Sequence, residues 1–139
     1  MARDRIELVK EFLAKIGCFD MEAVRGFLAE DAVMTFPYLD QLPDITGRDA
    51  IVEQIESTVP VVMEAMNFTF TEFHPTADPD CLIAEYTSKC PLRGSDGFYE
   101  NEYIAVFKFR GDEITLYKEY LDPTRMAVHA EVLGDELSG

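Results

Sequence analysis

The stretch FYENEYIAVFKFRGDEITLYKEYL, residues 98 to 121, leaves the chain the least freedom. Two runs of period two flank Gly111-Asp112, a pattern that specifies antiparallel strands joined by a tight turn. On the first run one face carries Tyr99, Asn101, Tyr103, Ala105, Phe107 and Phe109, and the other Phe98, Glu100, Glu102, Ile104, Val106 and Lys108. The first face is aromatic, and its polar groups are an amide and phenols, the make-up of a ligand pocket. On the second run Tyr117, Glu119 and Leu121 share a side, opposite Lys118 and Tyr120. Glu119 then has two readings. Facing inward, it sits among phenols and apolar rings, where lost solvation raises its pKa toward the working range of a general acid or base. Facing outward, it pairs with Lys89 or Lys118 at the sheet surface, and the tyrosines are core.

Upstream, Ile6, Val9, Leu13 and Ile16 recur at helical steps and predict a helix over residues 3–16, stopped by Gly17. Asp20 caps a second helix through Phe27 or Leu28. DAVMTFPYLD reads as a short strand closed by Pro37, QLPDITGR as a loop, and Asp49 to about Val59 as a third helix with Pro60 near its end. Period two returns from Asn67 to His74 and from Cys81 to Cys90, with PTADPD and PLRGSDG as turns. Pro123 to Leu133 reads as a short closing helix. Helices, a strand, a helix and then four antiparallel strands describe a single α+β domain over residues 1–139. A long, strongly twisted sheet of this kind curls round its helices and leaves a cone-shaped cavity for a small ligand.

Charge removes one class of partner. Twelve basic against 27 acidic residues give −15, the wrong sign for nucleic acid, which is bound through clustered Lys and Arg. The apolar stretches fall far short of the roughly 20 residues that cross a bilayer, so no spanning helix and no membrane partner are expected. The amphipathic N-terminus lacks an apolar signal core, and a cytoplasmic location is expected. Cys18, Cys81 and Cys90 have neither a metal spacing nor an even disulfide count and read as free thiols. Glu30-Asp31 and Asp78-Asp80 read as solvated turns, so no metal is expected. His74 falls at a strand end, at the rim of the cone, and His129 in the closing segment. Met34, Met63, Met66 and Met126 suit a core or an adaptable pocket lining.

The order of elements, the helix start ITGRDAI and the hairpin FYENEYIAVFKFRGDEITLYKEYLDP resemble the nuclear-transport-factor-2-like superfamily of cystatin-like, cone-shaped α+β barrels. Within it, the chain is most similar to SnoaL-like proteins, including the phenazine-biosynthesis A/B type. The resemblance implies N-terminal helices packed on a strongly curved, mostly antiparallel sheet, and a homodimer. It carries over to the site residue by residue. The steroid-isomerase positions fall on Phe12, Phe36 and Ala105, all apolar, which removes that mechanism. The epoxide-hydrolase pattern matches YKEYLD at Glu119, but its Arg-x-Asp strand corresponds to Glu85, Thr87 and Lys89. The phenazine A/B pattern places its acid/base glutamate on Glu119 and its partner histidine near Gln54, which cannot shuttle a proton.

The reading that results is a small-molecule acid/base enzyme of isomerase, cyclase or dehydratase type. It acts without a cofactor on a hydrophobic, oxygenated substrate. Glu119 is its catalytic acid or base, with Tyr103, Asn101, Tyr99, Tyr117, Gln54, Phe36 and Phe12 contacting the substrate. The alternative is a non-catalytic ligand-binding or dimerisation module of the same fold, and an epoxide hydrolase stands behind both.

Overall fold

A computed structural model describes residues 4–127. Helices α1 (Arg5–Gly17), α2 (Met21–Phe27) and α3 (Arg48–Val62) pack against strands β1 (Leu28–Thr35), β2 (Ile45–Thr46), β3 (Phe68–Pro75), β4 (Cys81–Pro91), β5 (Phe98–Arg110) and β6 (Glu113–Leu121), and α4 (Pro123–Ala127) follows. The strands form one six-stranded sheet in the order β2-β1-β6-β5-β4-β3. Every neighbouring pair is antiparallel except β1 with β6, which run parallel. The α+β architecture with a mostly antiparallel sheet is therefore the observed one.

The helices start where side chains can satisfy their free N–H groups. Asp4 accepts from the Ile6 amide at 2.9 Å and Asp20 from the Ala23 amide at 3.2 Å. The apolar stripe of α1 (Leu8, Val9, Phe12, Leu13 and Ile16) is buried, and Ile51, Val52 and Ile55 of α3 join it over the sheet. Opposite them lie the inward residues of β4 and β5, among them Ala84, Tyr86, Ala105, Phe107 and Phe109. Burial alternates along β4 and β5, as expected for a sheet with one covered face.

Three features differ from the sequence expectations. β1 begins at Leu28, directly after α2, because Leu28 and Ala29 are buried and Leu28 already pairs with Ile114. The stretch expected as a loop contains β2, where Ile45 and Thr46 pair with Met34 and Val33. Helix α3 runs past Pro60 to Val62. Pro60 removes one donor from the ladder, but Arg93 reaches the last turn, its side chain bonding the Pro60 carbonyl and its amide the Val62 carbonyl. The closing helix is described from Pro123 to Ala127, and the rest of its expected span, with His129, lies outside the described residues.

Gly17 ends α1 through close approach rather than backbone freedom. A Cβ there would lie 2.2 Å from the Met66 carbonyl oxygen, while the Met66 amide donates to the Gly17 carbonyl at 3.0 Å. Gly17→Ala must push the end of α1 off the segment that leads into β3. Overpacking of this kind costs roughly 1–3 kcal/mol. Urea unfolding is expected to show that loss, and a Gly17→Ala protein with an unchanged midpoint would show that the helix end tolerates displacement.

Candidate active site

Parity on β5 and β6 places the site. Tyr99, Asn101, Tyr103, Ala105, Phe107 and Phe109 are buried, and Glu100, Glu102, Ile104 and Lys108 between them are exposed. The hairpin register sets Ala105 beside Glu119 and Phe107 beside Tyr117. Strict alternation along β6 would turn Ile114 outward once Glu119 faces inward. An extra residue at Thr115, between the pairs Lys108–Leu116 and Phe109–Ile114, resets the phase. The bulge lets Ile114, Tyr117, Glu119 and Leu121 all face the interior.

Glu119 is 6% exposed, and the inward reading holds. The hydroxyls of Tyr86 and Tyr117 both donate to its Oε2. These two phenolic oxygens lie 3.4 Å apart. Ring packing fixes both phenols. Tyr86 stacks on Tyr103 at 4.9 Å, and Tyr117 stacks on Phe107 at 5.0 Å and meets Phe12 edge-on at 5.5 Å. Burial raises the Glu119 pKa to about 7, against a smaller opposing effect of the two phenols, which favour the anion they bond to. Tyr86 and Tyr117 are pushed well up, first by burial and then by the neighbouring Glu119 charge, so they stay neutral donors. A carboxyl that exchanges its proton near neutrality inside an apolar shell is equipped for general acid or base work.

The other expected substrate contacts divide. Phe12 is fully buried, and Phe36 packs edge-on to Tyr117 at 6.5 Å, so both rings pack against the phenol that holds Glu119. Tyr103 shares a hydrogen bond with Ser88 Oγ at 2.7 Å and another with Tyr99. Asn101 donates to the Tyr99 hydroxyl at 2.6 Å and to the Asp122 carbonyl at 3.0 Å, while its own oxygen accepts from the Asp122 amide at 3.1 Å. This second polar thread ties β4 and β5 to the turn after β6, and the Asn101 amide is fully used within it. Gln54 is half-buried on α3, and no hydrogen bond among the described residues joins it to Glu119. Tyr86 and Ser88 were missed from the sequence. The face Leu82, Ala84, Tyr86, Ser88 and Cys90 of IAEYTSKC shows the same apolar-phenolic alternation that revealed Glu119.

The epoxide-hydrolase arrangement does not assemble. Glu85, Thr87 and Lys89 occupy the alternate positions of β4, on the outer face, away from Glu119. Glu85 instead meets His74, whose Nε2 lies 2.5 Å from its Oε2 and 3.9 Å from Glu72 Oε2. Glu72 and Glu85 are directly opposite on β3 and β4, and His74 bridges them. The hydrogen bond to Glu85 is the main reason its pKa is raised. Glu72, His74 and Glu85 place ligand-type atoms within 4.8 Å of one another, so these are the described residues arranged as a cation site would require. Two open grooves flank the interior. One of about 350 Å³ lies between α1 and β3, with Phe68 and Phe70 in its wall, and both rings pack on Tyr86 at 5.6 Å. The other, of about 770 Å³, lies on the outer sheet face around Ile104 and Tyr120. Among the described residues no helix is long and apolar enough to cross a membrane.

Helices over a six-stranded mixed sheet are the fold of nuclear-transport-factor-2-like and ketosteroid-isomerase-like proteins. Residues 9–117 match the SnoaL-like domain, and the chain belongs to that family. An uncharacterised PhzA/B-like protein of Pseudomonas aeruginosa is 36% identical over 106 residues, spanning 75% of this chain and 72% of the relative. Among solved structures, a Bacillus subtilis protein described only provisionally as an isomerase superimposes with a TM-score of 0.74 at 27% identity, over 88% of this chain and 92% of that one. The TerC protein co-crystallised with polyporic acid superimposes with a TM-score of 0.71 at 17% identity, over 88% of this chain and 95% of that one.

The shifted carboxyl has a stability consequence. Between its ordinary value of 4.5 and about 7 the folded chain keeps a proton that the unfolded chain has released. The Glu119 contribution is then lost as pH rises through that window, by about 3 kcal/mol at roughly 1.4 kcal/mol per pH unit. Glu119→Gln cannot ionise. Denaturant unfolding should find it close to wild type at pH 4.5 and more stable than wild type at pH 8, and an equal difference at both would contradict the raised pKa.

Proposed function

We propose that the chain is a small-molecule acid/base enzyme of isomerase, cyclase or dehydratase type, with Glu119 as the group that moves the proton. The observation that carries this reading is one buried carboxyl held by two phenols and poised to titrate near neutrality. The substrate suited to it is a hydrophobic molecule with a carbonyl or hydroxyl. Its C–H bond breaks, the proton passes to the Glu119 carboxylate, and the electron pair is held on the conjugated oxygen as an enolate. Return of the proton at another carbon completes an isomerisation; attack by the enolate carbon on a second carbonyl, whose alkoxide then takes the proton back from Glu119, completes a cyclisation. Descriptions of relatives as a provisional isomerase and as PhzA/B-like are consistent with this chemistry. Phe12 and Phe36 supply apolar walls, and Tyr99 and Tyr103, kept neutral by burial, supply hydroxyls.

A second reading is favoured by Gln54, which stands where the family resemblance expects a histidine. Without a second proton-transfer group, the enclosure would bind its ligand and not turn it over. Incubating the protein in D2O with a panel of cyclic and conjugated ketones separates the two readings. Deuterium incorporation next to the carbonyl, read by mass spectrometry, is expected with the wild type and should fall about 100-fold or more in Glu119→Gln. Ligand-induced thermal stabilisation without any incorporation would instead support the binding module. The reading includes a homodimer, for which equilibrium sedimentation should return twice the chain mass, and a monomer would remove that part.

A further inference from the structure

We propose that Tyr86 and Tyr117 are positioning residues that hold Glu119 by Oε2, making Oε1 the oxygen that exchanges the substrate proton. The inference rests on the acid/base reading above and deepens it. Both phenols donate to the same oxygen. Among the described residues no hydrogen bond reaches Oε1, and Glu119 takes part in no ion pair. The two oxygens of one carboxyl are thus made unequal by their surroundings. Two donors draw the acceptor density to Oε2, so in the neutral acid the proton resides on Oε1.

The donors are well fixed for this task. Tyr86 comes from β4 and Tyr117 from β6, and their rings are stacked on Tyr103 and Phe107 with interplanar angles of 21° and 10°. A carboxyl held from two strands cannot rotate to present its other oxygen without breaking both bonds. Tyr86 therefore matters to the chemistry without touching the reacting atoms, as a group acting through Glu119. The consequence for the substrate is directional. Its reacting hydrogen must arrive at Oε1, and proton loss and return occur at one oxygen, on one face of the substrate. A neutral substrate is implied as well, because the titratable groups that face Glu119 are phenols: Tyr86 from β4, Tyr99 and Tyr103 from β5, and Tyr117 from β6, with Phe12 closing the α1 side.

The test reads the carboxyl directly and needs no substrate. In protein labelled with 13C at the glutamate side-chain carboxyl, the Glu119 resonance is identified by its loss in Glu119→Gln. It is then followed against pH in wild type, Tyr86→Phe and Tyr117→Phe. Removing a donor that favours the anion should raise the midpoint by about one to two pH units, taking 1.5–3 kcal/mol for a hydrogen bond to a charged group. Circular dichroism and the thermal midpoint verify folding. Tyr86→Phe suffices if Tyr117→Phe, which disturbs the Phe107 stack, does not fold. A higher midpoint in a folded Phe variant supports the proposal, and an unchanged or lower one overturns it. The deuterium-exchange assay keeps the two claims apart. Exchange that depends on Glu119 combined with an unmoved midpoint sinks the positioning role alone, whereas a raised midpoint in a protein that exchanges nothing sinks the enzyme reading and leaves the clamp.

Discussion

The bulge at Thr115 is the constraint on which the site depends. In a pleated strand a shift of one residue sends every side chain to the opposite face. β6 must bury Ile114 beside the hairpin turn, to seal the end of the core, and must also bury Glu119 five residues on. An odd separation forbids both on a regular strand. The extra residue changes the phase once, after which Tyr117, Glu119 and Leu121 fall in step with Tyr103, Ala105 and Phe107 across the hairpin. β3 uses the same device. An unpaired Thr71 lets Phe68, Phe70 and Phe73 all turn toward the helices while Glu72 and His74 stay outside.

With its direction set, the carboxyl faces two opposing effects. Burial favours the neutral acid, and the hydroxyls of Tyr86 and Tyr117 favour the anion. Burial is the larger, but the phenols limit it, and the balance falls near neutrality. The phenols cannot quench the charge as a lysine would, because burial and the carboxylate both keep them protonated. A cation in their place would hold Glu119 permanently ionised. The apolar residues at the steroid-isomerase positions, Phe12, Phe36 and Ala105, belong to the same economy, since they exclude water from the carboxyl without contributing polar groups of their own.

Much of this was legible because two-residue alternation is a strong signal in long strands. The faces of β5 and its ends at Phe98 and Arg110 followed from it, as did the shared side of Tyr117, Glu119 and Leu121, but alternation left open whether that side faced inward. What failed had physical causes. A strand of two residues such as β2 has no periodicity to detect, and Pro60 suggests an end to α3 unless the distant Arg93 is known to serve the last turn. Asn101 lay on the correct face, but the sequence contains nothing to say that its amide is spent on the backbone of Asp122. Tyr86 was within reach, because its strand obeys the same alternation, yet its contact with Glu119 joins positions separated by β5 in the sheet.

That position in the sheet also bears on motion. β6 is bonded on both sides, to β1 and to β5, so the backbone carrying Glu119 lies in the interior of the hydrogen-bonded array. Local opening in proteins is drawn from weakly held segments, and a doubly paired strand is among the last to open. The backbone that carries Glu119 is therefore a stationary floor. A ligand that reached Glu119 would have to pass between the helices and aromatic rings that cover the carboxyl, so its pace of entry would be set by how readily those walls part rather than by any yielding of the floor.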